Sequence, residues 1–343
     1  MKTVLGTEIS IGGRRWSQKL NEGIETERLV YTIVQRYDLP EIIARLLVAR
    51  NVSLENVNGF LNPKIRDIMP DPSSLMDMDV AVDRLVKAIS DNELIGLFAD
   101  YDVDGATSSA LLKMYLNALN IRNELYIPDR MKDGYGPNKQ GLEYLKAKGA
   151  SLILTLDCGI LAFDVLDDFN LQGGEVIVID HHMAEPKLPK AIAVVNPNRL
   201  DDLSDLGNLA AVGVVFLLLV ALTRRLRKVG WFSKKTEPDL LQWLDLVAIG
   251  TVCDVVELKG LNRAYVAQGL KVMALQKNIG VKALREVARV NSKPNSYQVG
   301  FTLGPRINAA GRVGEAVLGA RLLSCDDEIY AMNTSNLLDE QNK

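Results

Sequence analysis

Between residues 94 and 195, five short apolar runs alternate with amphipathic segments, and three of the runs end in aspartate. The runs cover residues 94–99, 124–127, 152–156, 176–179 and 192–195. Each has the length of a strand, and the segments between them predict helices at about 106–119, 138–148 and 161–169. Strand–helix–strand alternation calls for a mostly parallel sheet covered by helices on both faces.

Outside this stretch the pattern changes. Residues 1–90 read as helical and irregular, with Pro63, Pro70 and Pro72 breaking the chain ahead of a helix at about 79–90. Beyond residue 207 the strand signal stops, and helical periods occupy about 207–228, 238–249, 262–276, 281–290 and 316–323. The expected fold is α/β: a mostly parallel sheet flanked by helices over 91–325, a helical N-terminal cap over 1–90 and a helical C-terminal portion.

A chain of 343 residues has room for two or more domains, and 48% apolar with 24% charged residues is ordinary for a soluble globular protein. The most apolar run, 209–222, is shorter than the roughly 20 residues a membrane span needs, so no membrane partner is expected. The basic group Arg224, Arg225, Arg227 and Lys228 suits a solvated helix end. Cys158, Cys253 and Cys325 lie far apart without CxxC spacing, which argues against a disulfide framework and a cysteine zinc site. With no apolar signal segment in the first 20 residues, a cytoplasmic location is expected. A net charge of −3 does not mark a nucleic-acid binder, yet eight Lys or Arg and one acid, Glu286, lie between Lys271 and Arg312. That stretch is either a solvated helical face or a surface that tracks phosphates.

In open parallel sheets, ligands bind beyond the carboxyl ends of the strands. Run 94–99 leads into Asp100, Asp102 and Asp104, run 152–156 into Asp157, and run 176–179 into Asp180, His181 and His182. One sheet edge therefore collects several carboxylates and both histidines of the chain. Crowded carboxylates raise one another's pKa unless a cation is present. Carboxylate and imidazole donors suit hard divalent ions such as Mg²⁺ or Mn²⁺. Gly105 allows a tight turn into a helix near residue 106, whose first N–H groups are expected to face an anion. The run from Asp100 to Gly105 begins like an EF-hand loop, but its twelfth position is Leu111 instead of Glu, and a strand precedes it. Asp254 follows an apolar helical stretch, where a carboxylate needs a partner: a helix terminus, an ion pair or a metal.

Four segments in order resemble the motifs of the DHH phosphoesterase superfamily: residues 100–105, Asp157-Cys158-Gly159-Ile160, Asp180-His181-His182 and residues 250–256. Ile127-Pro128-Asp129-Arg130, Gly134-Tyr135-Gly136 and residues 304–312 further resemble its RecJ-like exonucleases, which degrade single-stranded DNA from the 5′ end. The resemblance covers most of residues 75–325. It implies that Asp102, Asp104, Asp157, His181 and Asp254 hold two Mn²⁺ or Mg²⁺ ions, with Asp157 between them. It also implies catalytic roles for Asp100 and His182 beside the reacting phosphate, His182 as a hydrogen-bond donor. Arg130, Arg306, Asn308 and Arg312 would bind phosphate or DNA, since a guanidinium fork matches two phosphate oxygens. Each arginine has a structural reading as well. Residues 91–325 would be the catalytic domain, and 326–343 the start of a helix leading to a second domain that the sequence lacks. The implied activity is metal-dependent release of 5′-mononucleotides from single-stranded DNA, with DNA-repair proteins as partners. Two alternatives stay open: a phosphodiesterase of short oligonucleotides or cyclic dinucleotides, and a non-catalytic fragment that keeps the fold.

Overall fold

Five strands build one sheet: β1 Leu94–Ala99, β2 Asn123–Tyr126, β3 Ala150–Leu156, β4 Val176–Ile179 and β5 Ala193–Val195. Every neighbouring pair is parallel, in the order β2-β1-β3-β4-β5. The five expected strands are all present, with ends within two residues of those read from the sequence. They lack polar alternation because both faces are covered: Leu97 and Ala99 pack into one core, and Phe98 between them into another. The chain leaves β1 toward β2 on one side and then returns to build β3, β4 and β5 on the other. The carboxyl ends of β1 and β3 therefore flank a topological switch point, where open α/β sheets form their ligand crevice.

The computed structural model describes residues 7–17, 19–20, 23–129, 133–312 and 315–343. Its longer helices are α1 Ile24–Tyr37, α2 Glu41–Val48, α3 Met78–Ser90, α4 Val103–Ala118, α5 Lys139–Ala147 and α6 Phe163–Leu171. They continue with α7 Ala211–Lys228, α8 Leu244–Cys253, α9 Gly260–Ala274, α10 Ile279–Val287, α11 Val317–Leu323 and α12 Glu328–Asn342. Helix α4 is buried on nearly every side, between the sheet and α7, α8 and α11. Its Thr107 and Ser109 hydroxyls donate to the carbonyls of Val103 at 2.8 Å and Ala106 at 3.1 Å, so neither needs water. Among the described residues, no helix is long and apolar enough to cross a membrane.

The chain divides into two compact units, Met1–Lys64 and Ile65–Lys343. In the first, α1 and α2 enclose Val30, Ile33, Ala44, Leu47, Val52 and Val57. The division falls ahead of the boundary expected at residue 90. Helix α3 buries Met78, Ala81, Val82, Leu85, Ala88 and Ile89 in the main core of the second unit, which fixes it there. At the other end, α12 packs on α10 and α11 and buries Ala331 and Leu338, so residues 328–342 are part of the same unit.

Candidate metal centre

Just past each strand, the backbone fixes where the acidic side chains go. Asp100 leaves β1 with its amide bonded to the Leu156 carbonyl at 3.1 Å, and only 4% of it is exposed. Asp102 then caps α4, accepting from the N–H groups of Asp104 at 2.8 Å and Gly105 at 3.0 Å. The helix thus starts at Val103, earlier than expected, and the N–H groups expected to face an anion are taken by Asp102. Gly105 is required at this turn, because a Cβ there would lie 2.9 Å from the Asp100 Cα and nearer still to its carbonyl. Asp104 points inward and accepts from the N–H groups of Ala211 at 2.6 Å and Val212 at 2.9 Å, the first residues of α7. Two helix N-termini therefore offset part of the negative charge.

Asp157 follows β3 with its amide on the Ile179 carbonyl at 2.9 Å and a left-handed φ of 61°. Aspartate tolerates that region better than most residues, at a modest cost in strain. Asp180 follows β4 and is fully buried. Its Oδ1 accepts from the backbone N–H groups of His181 at 2.7 Å and His182 at 3.1 Å and from His182 Nδ1 at 2.7 Å. Its Oδ2 accepts from the Ile160 N–H at 3.0 Å. Asp180 therefore shapes the His-His turn. Asn196 and Asn198, beyond β5, hold that turn from the other side by donating to the carbonyls of His182 and His181. Asp254 ends α8, which approaches α4 at Gly250: a Cβ there would lie 2.7 Å from Val212 Cγ1 and 2.9 Å from Asp104 Oδ1.

These side chains converge. His181 Nε2 lies 3.3 Å from Asp157 Oδ1, 3.7 Å from Asp254 Oδ2 and 3.8 Å from Asp104 Oδ2. Donor atoms fall into three groups, each within 4.8 Å: Asp104–His181–Asp254, Asp100–Asp102–Asp157 and Asp157–His181–His182. The first two share no residue, and the third joins them through Asp157 and His181. Four of the atoms, Asp100 Oδ1, Asp157 Oδ1, His181 Nε2 and Asp254 Oδ2, are buried without a hydrogen-bond partner. Buried polar atoms are rarely left so, and four of them within these adjoining donor groups mark a place built for charged occupants.

The electrostatics agree. Burial, followed by the charge of Asp102, pushes Asp100 up to about 7 and Asp254 up to about 6. Burial with the neighbouring carboxylates also raises Asp104 and Asp157 well above the usual range. His181 is lowered, by burial and by His182, which favours the neutral ring a metal requires. His182 is raised, chiefly by its hydrogen bond to Asp180. Burial alone would raise Asp180, but the His182 ring and the backbone donors outweigh it and hold this carboxyl below its ordinary value. Carboxylates that cannot all ionise without a counter-charge, beside a neutral imidazole, fit hard divalent cations.

Residues 94–251 match the model of the DHH family, N-terminal domain. This stretch, just under half of the chain, is a DHH-family domain. The "Single-stranded-DNA-specific exonuclease RecJ" of Dickeya dadantii is 39% identical over 310 residues, 89% of this chain and 53% of that relative. A solved exonuclease RecJ bound to manganese is 35% identical, with a TM-score of 0.69 over 78% of this chain and 66% of that one. RecJ from Thermus thermophilus, solved with Mn²⁺, is 30% identical, with a TM-score of 0.76 over 92% of this chain and 44% of that one. The same protein has also been solved with Mg²⁺. The chain spans about half the length of the curated relatives it matches.

Within the DHH-family unit, the seven residues Asp100, Asp102, Asp104, Asp157, His181, His182 and Asp254 lie together. The arginines divide differently. Arg130 and the side chain of Arg312 lie outside the described residues. Arg306 does not present an open fork: it donates to Asp339 Oδ1 at 2.9 Å through Nε and to the Thr302 carbonyl at 2.7 Å. Asn308 is half-buried on the same short helix, Gly304–Ala309. In the basic stretch, Arg285 is buried and donates to the Ser292 carbonyl at 2.8 Å, so it belongs to neither a solvated face nor a phosphate track.

Four residues contribute in ways that the sequence did not mark. Asp180 stood in view as part of the triplet, without its orienting role. Asn196 and Asn198 close the fifth strand, and the strand-end rule that found the acids reaches them too. Tyr135, between Gly134 and Gly136, donates to the Asp157 carbonyl at 3.3 Å and lies 3.3 Å from His182 Nδ1. Beside it opens a cavity of about 350 Å³ lined by Tyr135, Pro137, Ile160, Leu161, Phe163 and His182.

Proposed function

We propose that this chain is the catalytic portion of a metal-dependent exonuclease that degrades single-stranded DNA from its 5′ end and releases 5′-mononucleotides. The observation that carries the reading is the convergence of seven donor residues with four buried, unpartnered polar atoms at the switch point of the sheet. Kinship with RecJ relatives narrows metal-dependent phosphate chemistry to single-stranded DNA.

In this reading Asp102, Asp104, Asp157, His181 and Asp254 would hold two Mn²⁺ or Mg²⁺ ions, Asp157 being the carboxylate that belongs to two of the donor groups. Bound there, the ions supply a hydroxide near neutral pH and stabilise charge on the phosphoryl oxygens. Asp100, in the donor group with Asp102 and Asp157, would lie close to the ions and the reacting phosphate. Asp180 fixes the His182 ring through Nδ1 and shifts its pKa upward, which favours the protonated ring that can donate to a phosphoryl oxygen. The cavity beside Tyr135 and His182 has room for part of a nucleotide next to the reacting phosphate. The kinship also supports a cytoplasmic role in DNA repair or recombination.

The test is release of mononucleotides from a 3′-labelled single strand and from a blunt duplex, with Mn²⁺ or with EDTA. The single strand should be shortened from its 5′ end only with metal, and Asp157→Ala should abolish the reaction. Unchanged release by Asp157→Ala, or equal degradation of the duplex, would remove the proposal.

A further inference from the structure

The segment that rests against the Asp254 turn carries two aromatic rings that the metal chemistry does not use. Tyr297 lies on the short turn Ser296–Gln298, and Phe301 on the π-helical turn Val299–Leu303 that follows. They are 69% and 72% exposed, and their rings stack with centroids 4.9 Å apart and planes 30° from parallel. On the inner side of the same turn, Val299 and Leu303 are buried. A Cβ at Gly300 would touch Val252 at 3.4 Å, and one at Gly304 would lie 2.5 Å from Cys253 Sγ. The inner face of the turn therefore lies against the two residues that precede Asp254, while the rings face solvent. π-Helical turns are rare and occur often at functional sites.

We propose that Tyr297 and Phe301 form a stacking platform for the bases of a single-stranded nucleic acid on its way to the metal centre. The destination rests on the nuclease reading above; the platform rests on the rings and their surroundings. Two large exposed rings held face to face offer an apolar π-surface that any base can extend. Residues 287–314 contain no acid, and Arg289 and Lys293, both exposed and close to the rings in the chain, supply the positive charge that suits a sugar–phosphate backbone. The exposed residues just before the rings in the chain are polar: Asn291, Ser292, Asn295 and Ser296. A protein interface centres its aromatic anchors in a wider apolar patch, whereas isolated rings in a basic, polar setting match a strand of bases and phosphates.

The experiment measures binding of a fluorescent oligothymidylate by anisotropy in EDTA, alongside Mn²⁺-dependent hydrolysis of a thymidine dinucleotide. Removing both rings, in Tyr297→Ala with Phe301→Ala, should weaken oligothymidylate binding about 10-fold per ring. Dinucleotide hydrolysis and the melting temperature should not change. Tyr297→Trp should keep the affinity, and an abasic strand of equal length should bind wild type and the double variant alike. Equal oligothymidylate affinity in wild type and double variant overturns the platform, as does a change in sedimentation mass with DNA binding intact, which would mark a protein interface. Because binding is read without hydrolysis, a chain that binds through these rings but cuts nothing would refute only the nuclease reading.

Discussion

Replacing Asp254 by asparagine removes one buried negative charge and keeps the side chain's size. Asp254 Oδ2 is unpartnered and lies 3.7 Å from His181 Nε2. Burial, and then the charge of Asp102, pushes its carboxyl from 3.8 up to about 6. A carboxyl raised in the folded state weakens the fold only where it must ionise. The penalty is absent below 3.8, grows as pH rises, and is complete above about 6. A shift of this size corresponds to about 3 kcal/mol. Asparagine leaves an unpaired amide in the same place, which costs about 1–3 kcal/mol, so the net gain expected for the metal-free variant at pH 8 is about 0–2 kcal/mol. That is up to about 4 °C in melting temperature for a chain of this size. The gap should shrink as pH falls toward 4. With Mn²⁺ at a hundredfold excess over its Kd, the wild type gains about 3 kcal/mol per site. The variant lacks one donor of the Asp104–His181–Asp254 group and should gain less, so the order of stabilities reverses. Thermal unfolding of both proteins across pH 4–8, in EDTA and in Mn²⁺, reads all of this. A variant that melts below wild type in EDTA at pH 8, or a gap that ignores pH, would refute the view of this cluster as an uncompensated carboxylate site.

Three further outcomes are expected. Asp180→Asn should lower turnover about 100-fold while Mn²⁺ affinity by calorimetric titration changes little. Because the bond to Asp180 is the main cause raising His182, the alkaline limb of the rate profile should move to lower pH. Gly105→Ala forces a Cβ against the Asp100 backbone, so stability should fall by about 1–3 kcal/mol, and Mn²⁺ binding should weaken with it. Arg306→Ala and Asp339→Asn break the same ion pair, so similar losses in denaturant stability are expected; a drop in DNA affinity confined to Arg306→Ala would instead reveal a phosphate contact.

The sheet was legible because each strand is a short apolar run, and the acids were legible because each run stops at one. Local sequence carries both signals. Asp254 was different: α8 delivers it by packing over α4, with Gly250 against Thr107 and Val212. No local pattern encodes that approach: the apolar context showed only that Asp254 needs a partner, and the resemblance in residues 250–256 is what pointed to a metal. The same limit explains Arg306, whose partner Asp339 lies on the final helix. It also explains Arg285, which reads as one charge of a basic run until burial ties it to backbone carbonyls. Helix α3 was grouped with the N-terminal cap for a related reason. Its apolar face states that it is buried, but not against which unit.

Hydrogen bonding separates two kinds of residue that the sequence presents as one cluster of aspartates. Asp180 has both oxygens filled by donors of the chain, and that carboxyl is held low. It can be ionised at every physiological pH without a metal, which suits a group whose task is to hold the His-His turn. Asp100, Asp157 and Asp254 each leave an oxygen buried and bare, and all three are raised. Asp104 stands between: α7 donates to both its oxygens, yet it too is raised, and a carboxylate oxygen still has a second lone pair for a cation. The left-handed backbone of Asp157, where the two donor groups meet, adds strain to the same spot. A fold selected for metal-free stability would fill these oxygens or replace the acids with neutral side chains. Keeping them bare, against a sheet and two helix N-termini that hold them rigid, makes sense if a divalent ion supplies the missing charge.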